Sequence, residues 1–348
     1  MKYLRYLLIF IPLSILGLIF KWDSTLMFFM TCLSIVPLAG YLGMATEEIA
    51  VYTGPKFGGF LNATFGNATE LIIGIFALKA GLFDVVKASL AGSVLGNVLL
   101  VLGCSILFGG LKHKELKFDK QQGNFTASML LFAVVGLSIP AVFTYSMPDS
   151  LISSKYENFS VIVSIILLCV YVVGLVYSFK TQNDLYGVEH ADDMDSKWSL
   201  PVSIIILAVA TVLIAFESEL LVGNIEPMTK SLGISEMFVG LILIPIVGNV
   251  AEHTTSIIMA LKNKMDISIE IAVGSSLQIA MFVIPAMVLL SLIFTPMSII
   301  FKPIELFIFG VSVIIANQIV SSGKTNWVEG LKLISVYAIA AVGFFIIG

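Results

Sequence analysis

The residue types with the clearest chemistry in this sequence are two glutamates, Glu70 and Glu252, set 182 residues apart in nearly the same surroundings. Gly66-Asn67-Ala68-Thr69-Glu70 reads against Gly248-Asn249-Val250-Ala251-Glu252, and the same shift lays Gly92-Ser93-Val94-Leu95 on Gly274-Ser275-Ser276-Leu277. Each glutamate falls in the middle of a long apolar run. A charged side chain at that depth of a bilayer costs roughly 2.5–3.5 kcal/mol on insertion scales, so such acids face a cavity and serve a function. Asn67 and Asn249 precede the acids by three residues, and Gly66 and Gly248 by four. Both spacings place them on the same helix face as the acid. The glycines admit a close backbone and loosen the helix, freeing carbonyl oxygens as ligands. Ser93 and Asn97 share a face by i,i+4 spacing, and Ser275 and Gln278 by i,i+3. Here the symmetry slips: at the common shift Asn97 meets Ile279 and Gln278 meets Gly96. Both amides are expected to line the cavity that holds the glutamates.

Two carboxylates with amide, hydroxyl and backbone oxygens make a hard, all-oxygen site. Calcium takes 6–8 such ligands in flexible geometry, whereas softer metals call for Cys or His. The chain has three histidines, and its three cysteines sit in apolar runs with no CxxC spacing. Two neighbouring glutamates in a low-dielectric cavity resist being ionised together and hold protons when no cation neutralises them. A divalent cation lifts that penalty and displaces the protons, so one site alternates between Ca²⁺ and H⁺. Ca²⁺ is then transported substrate, H⁺ the counter-ion, and no cofactor is expected.

The elements that position these residues are membrane helices. The 348 residues are 58% hydrophobic and 12% charged, with a mean hydropathy of +1.02. That excludes a soluble enzyme and a disordered chain, and the net charge of −4 argues against a nucleic-acid role. Apolar runs near 3–20, 25–51, 56–80, 85–110, 124–146, 158–179, 199–222, 234–261, 267–294, 302–320 and 327–347 predict about eleven spanning helices. The runs are continuous rather than alternating, which excludes a β-barrel. The first, after Lys2 and Arg5, is long enough to span and has no small-residue cleavage site before Lys21-Trp22-Asp23, so it reads as a retained helix. Twelve basic residues in connections fall on the N-terminal side, among them Arg5, Lys56, Lys112, Lys114, Lys117 and Lys180, against six on the other. The N-terminus is therefore expected in the cytoplasm and the C-terminus outside.

The polar segment Lys180–Trp198, with Asp184, Glu189, Asp192, Asp193 and Asp195, divides the chain. The organisation expected is a first transmembrane helix over residues 1–22, a five-helix repeat over 23–180, an acidic cytoplasmic linker over 181–198 and a second five-helix repeat over 199–348. Because five is odd, the copies run in opposite directions. The fold class is all-α integral membrane, 1+5+5 with inverted-topology repeats, an arrangement of secondary transporters with the ion site at the midplane.

The two glutamate motifs, the second continuing into His253, resemble the paired motifs of the Ca²⁺/H⁺ antiporters, the cation/proton-exchanger branch of the Ca²⁺:cation antiporter superfamily. Gly92-Ser93-Val94-Leu95-Gly96-Asn97 and Gly274-Ser275-Ser276-Leu277-Gln278 are similar to the neighbouring family segments. The likeness runs from the second span to the last. It implies eleven helices, a Ca²⁺ site at Glu70 and Glu252, proton countertransport and alternating access. The Ser/Thr- and Pro-containing signatures of the Na⁺-driven relatives are absent.

Other residues have plainer readings. Glu47 and Glu48, with Glu217 and Glu219, lie near span ends as entry-vestibule acids or solvated interfacial carboxylates. His253 points to a different helix face from Glu252. Lys112-His113-Lys114-Glu115-Leu116-Lys117 reads as a cytoplasmic anchor to anionic lipid. The partners expected are Ca²⁺, H⁺ and the lipid bilayer, with a homo-oligomer left open. The location expected is a prokaryotic plasma membrane. A Na⁺-driven exchanger and a passive cation channel are the alternatives, and no nucleophile–base pair or HExxH motif points to an enzyme.

Overall fold

Long stretches of Leu, Ile, Val and Phe leave the backbone one way to satisfy its own hydrogen bonds in hydrocarbon, the helix. The structure, a computed structural model, describes residues 4–54, 58, 61–62, 64–145, 153–181 and 197–347. In chain order its helices are α1 (Leu4–Phe20), α2 (Ser24–Thr53), α3 (Ala68–Lys79), α4 (Phe83–His113), α5 (Lys120–Tyr145), α6 (Ser153–Thr181) and α7 (Leu200–Gly223). They continue as α8 (Ile225–Leu232), α9 (Glu236–Gly248), α10 (Val250–Leu261), α11 (Met265–Ser291), α12 (Pro303–Val320) and α13 (Trp327–Ile347). Lys2, Lys56 and the acidic stretch Asp184–Asp195 lie outside the described residues.

The eleven apolar runs do not become eleven continuous spans. Among the described residues, eight helices are long and apolar enough to cross a membrane, and α8 with α9, bent by 118°, makes a ninth if counted as one span. The cause is local. The run at 56–80 breaks at Gly66-Asn67, and the run at 234–261 breaks at Asn249. Both asparagines leave helical geometry in the same way, Asn67 at φ −107° and ψ 22°, Asn249 at φ −101° and ψ 12°. Each break opens a short new helix, α3 or α10.

The halves pack through one another. α2 lies along α7 and α5 along α12; α4 packs on α13 as α6 does on α11; α10 meets α4 as α3 meets α11. Pairing each helix with the counterpart of its partner is the pattern a pseudo-two-fold relation generates. Two π-helical segments, Gly96–Val101 in α4 and Ile279–Val283 in α11, fall within one residue of each other under the 182-residue shift. Such bulges concentrate at functional sites because they rotate one helix face against the rest. At one end of the bundle, strands β1 (Leu116–Lys117) and β2 (Lys324–Thr325) pair antiparallel, with Leu116 opposite Thr325. They tie the connection after α4 to the one before α13.

Candidate functional site

The helix breaks determine where the two glutamates sit. Glu70 lies in the first turn of α3 and Glu252 in the first turn of α10. The start of a helix carries unpaired N–H groups and the positive end of its dipole, which favours a carboxylate there. An asparagine at the cap with a glutamate three residues on has the spacing of a capping box. Neither asparagine side chain caps its own helix, however. Asn67 Nδ2 donates to Gln278 Oε1 of α11 at 2.7 Å. Asn249 Nδ2 donates to Ser93 Oγ of α4 at 3.1 Å and to Pro245 O at 2.9 Å. Each motif is thus fastened to the other half of the chain.

The carboxylates meet in the same space. Glu70 is buried at 9% exposure, and its Oε1 lies 3.2 Å from the point a Cβ on Gly248 would occupy. A side chain at position 248 would intrude on that oxygen, so glycine there keeps room beside the acid. Glu252 is half-buried and its Oε2 accepts from Ser275 Oγ at 2.8 Å. Asn97 hydrogen-bonds the same carboxyl, and its Nδ2 donates to Ser275 Oγ at 3.3 Å. Ser275 also stands 3.5 Å from Asn67 Oδ1. Every position singled out by the repeat therefore converges: Gly248 shapes the cavity, Gly66 marks the break, and the other eight residues are the carboxyls and their oxygen- and nitrogen-bearing neighbours.

Two details point to a cation. Asn97 Oδ1 and Asn249 Oδ1 are buried with no hydrogen-bond partner. Buried carbonyl oxygens normally find a donor, and one left without is a cost that an incoming cation can repay. Among the described residues no cluster of three or more His, Cys, Asp or Glu side chains exists. The charge available to a ligand here is two carboxylates, supplemented by neutral oxygens, which matches a hard divalent ion rather than a soft metal.

Comparison with known proteins gives the family. Residues 23–180 and 202–346 match the sodium/calcium exchanger protein family. The chain belongs to that family. It is 44% identical over 355 residues to a Ca²⁺/H⁺ antiporter of Aphanothece halophytica, covering 97% of this chain and 95% of the relative. It is also 44% identical over 343 residues to the Ca²⁺/H⁺ antiporter ChaA of Bacillus subtilis, covering 97% of each. A solved structure of native YfkE is 41% identical, with a TM-score of 0.86 over 99% of this chain and 100% of that one. The branch is that of the Ca²⁺/H⁺ antiporters, and the chain is a multi-pass membrane protein of an antiporter family.

Some side chains of this family member do other work than their positions promised. Glu48 Oε2 accepts the backbone N–H groups of Lys197 and Trp198 at 2.9 and 3.3 Å, holding the chain that leads into α7. Lys112 Nζ and His113 Nε2 lie 3.0 and 2.9 Å from Leu261 O, closing the C-terminus of α10 where basic groups complement the dipole. Glu219 and Glu47 are exposed, but Glu217 is at 0% exposure and is neither a vestibule acid nor solvated. Its burial had no signal in the sequence beyond an acid five residues before the end of an apolar run.

Proposed function

We propose that this chain exports Ca²⁺ from the cytoplasm in exchange for protons, using Glu70 and Glu252 as the shared acceptors. The observation that carries the reading is the convergence of two glutamates, each in the first turn of a broken helix, in one hydrogen-bonded cluster whose amides include two partnerless oxygens. Asn67, Asn249, Asn97 and Ser275 complete or orient the oxygen cage, with Ser93 and Gln278 bracing the amides.

With the cation bound, two negative charges offset its two positive ones. With the cation gone, the carboxyls take up protons, and the neutral pair can cross the alternating-access transition. Either state is close to neutral inside the membrane, which keeps the conformational change from carrying an uncompensated charge through a low-dielectric core. An empty, doubly ionised site is the costly state, and its scarcity enforces exchange instead of leak. The inverted pair of repeats, 23–180 and 199–348, supplies two packings of similar energy that open to opposite sides. Support for that division comes from the two matched segments of the family and from the exchanged helix pairing.

In this reading the N-terminus is cytoplasmic by the lysine and arginine bias, the membrane is the plasma membrane of a prokaryote, and the protein is a transporter without enzyme chemistry. Simultaneous Ca²⁺ and pH recordings in proteoliposomes test it. A pH gradient is expected to drive Ca²⁺ uptake in the absence of Na⁺. Uptake that requires Na⁺ points to the Na⁺-driven alternative, and flux indifferent to the pH gradient to a channel; either result removes the proton-coupled reading.

The amides have a graded role. Asn249→Ala removes the tie to Ser93 and one of the two partnerless oxygens. It is expected to weaken Ca²⁺ binding about tenfold, roughly 1.4 kcal/mol, while leaving thermal stability in detergent within a few degrees. Calorimetric Ca²⁺ titration of the variant checks this.

A further inference from the structure

Glu217, a buried carboxyl outside the paired-glutamate cavity, has surroundings that only a proton satisfies. It lies on α7 at 0% exposure, against Ser14 of α1 and Ser34 of α2, which are likewise at 0%. Ser14 Oγ stands 2.5 Å from Glu217 Oε1 and 2.8 Å from the carbonyl oxygen of Ile11. A serine hydroxyl has one hydrogen, and a backbone carbonyl only accepts. If Glu217 were ionised, two acceptors would compete for that hydrogen, and one short contact would set lone pair against lone pair. If Glu217 carries a proton, Ser14 donates to Ile11 and the carboxyl donates to Ser14, so both contacts are hydrogen bonds.

The rest of the environment agrees. Ser34 Oγ lies 3.0 Å from Met30 O and also hydrogen-bonds the Glu217 carboxyl, so its single hydrogen is likewise contested while the carboxyl is ionised. Glu217 Oε2 has no hydrogen-bond partner. A neutral carbonyl oxygen tolerates that far better than a buried anionic one. The titratable groups on the elements packed around it are Arg5 and Tyr6 of α1, Cys32, Tyr41, Glu47, Glu48 and Tyr52 of α2, Glu70 and Lys79 of α3, and Glu219 of α7 itself. None joins Ser14 and Ser34 in interacting with Glu217. On α8, Glu226 and Lys230 pair with each other.

We propose that Glu217 is a proton-binding site separate from the ion cavity, and that its proton fastens α1 to the α2–α7 pair. Ser14 and Glu217 each lie six residues before the end of their helices, Phe20 and Gly223. At 1.5 Å per residue that is about 9 Å from one face of the bundle. On the orientation proposed above it is the outer face, from which the driving protons enter. The seat of α1 also reaches the first motif: Leu8 and Ile11 of α1 pack on a cluster of Leu38 and Leu42 of α2, Ala68 of α3, and Ala210 and Ile214 of α7. Ala68 directly follows Asn67 at the helix break. Loss of the proton leaves an anion with no countercharge, so α1 must lift enough to admit water, and the packing behind the break loosens with it.

Spin labels at Ile19 of α1 and Val212 of α7, 65% and 68% exposed, in otherwise cysteine-free protein in Ca²⁺-free proteoliposomes test this by pulsed dipolar distance measurement. The distribution is expected to be narrow at acidic pH and to broaden toward longer distances at alkaline pH. Glu217→Gln, which carries a donor at every pH, is expected to stay narrow throughout, and Ser14→Ala to be broad throughout. An infrared band of a protonated carboxyl present at neutral pH is expected to vanish in Glu217→Gln. A wild-type distribution unchanged by pH, or equal broadening in Glu217→Gln, overturns the latch. A spectrum with no carboxyl band lost in that variant overturns the proton site. Because no Ca²⁺ is present, failure here leaves the role of Glu70 and Glu252 untouched.

Discussion

Glu70→Gln and Glu252→Gln are each expected to abolish proton-driven Ca²⁺ transport while the protein still inserts and folds. Glutamine keeps the size and the oxygen of the acid but removes one negative charge and one proton-accepting group. In the wild type two carboxylates face a doubly charged cation; in either variant one positive charge is left uncompensated in a cavity lined by buried Asn67, Asn97, Asn249 and Ser275. Breaking a buried charge pair by removing one partner costs about 3–5 kcal/mol, or more than 100-fold in Ca²⁺ affinity. The proton side fails for the same reason, since one carboxyl cannot balance the second charge of Ca²⁺. The two variants need not behave alike below that ceiling. Glu252 is held by Ser275 and Asn97, so its amide finds a partner to hold it in place. Glu70 is seated beside Gly248, where no side chain stands to hold an amide nitrogen. Radiolabelled calcium uptake into vesicles under a pH gradient, with circular dichroism and size-exclusion profiles as fold controls, checks both. Retained proton-driven uptake in either variant rules out a site shared by both acids.

Ca²⁺ affinity is expected to fall steeply on acidification, by up to about 100-fold per pH unit. The sign follows from which state holds the protons. Ca²⁺ binds the doubly ionised pair, and protons bind the cation-free pair, so lowering the pH stabilises the form that excludes Ca²⁺. Where both carboxyls are protonated before binding, each Ca²⁺ releases two protons. The binding free energy then changes by about 2.7 kcal/mol per pH unit, twice the 1.36 kcal/mol that accompanies one proton. As pH rises through the titration of the pair the dependence flattens, first to one proton and then to none. Equilibrium Ca²⁺ binding measured over a pH series gives this slope directly. In either single-glutamine variant whatever weak binding survives is expected to show a slope no greater than one proton. An affinity independent of pH across the whole range would sink the competition mechanism, since exchange at a common site requires it.

Much of this is legible in the order of residues. The depth of Glu70 and Glu252 follows from the apolar runs around them, and their pairing follows from an identical offset in two consecutive segments. The scarcity of charge is what makes them readable, because in a soluble chain two glutamates in similar pentapeptides would carry no message. The count of spans was less legible. Hydropathy sums over a window and does not register a two-residue interruption, so runs 56–80 and 234–261 look continuous although Gly66-Asn67 and Asn249 break them. Nor does hydropathy separate the short amphipathic α8, whose Glu226–Lys230 pair faces outward, from an ordinary connection.

The order of residues was enough to read a membrane antiporter of the Ca²⁺/H⁺ branch, and it proposes a duplicated acid with hard-oxygen chemistry as the site. Those conclusions rest on local quantities: hydropathy along a run, spacing on a helix face, and self-similarity at one shift. Packing alone decided how the site is wired. Asn67 reaches Gln278 across 211 residues, Asn97 reaches Ser275 across 178, and Asn249 leaves its own helix cap for Ser93 across 156. Glu217 becomes a buried acid only because α1 brings Ser14 to it from 203 residues away. A hydrogen bond over such distances depends on the rotation of two helices about their axes, and no short window of sequence encodes that angle. It emerges when the two halves interlock.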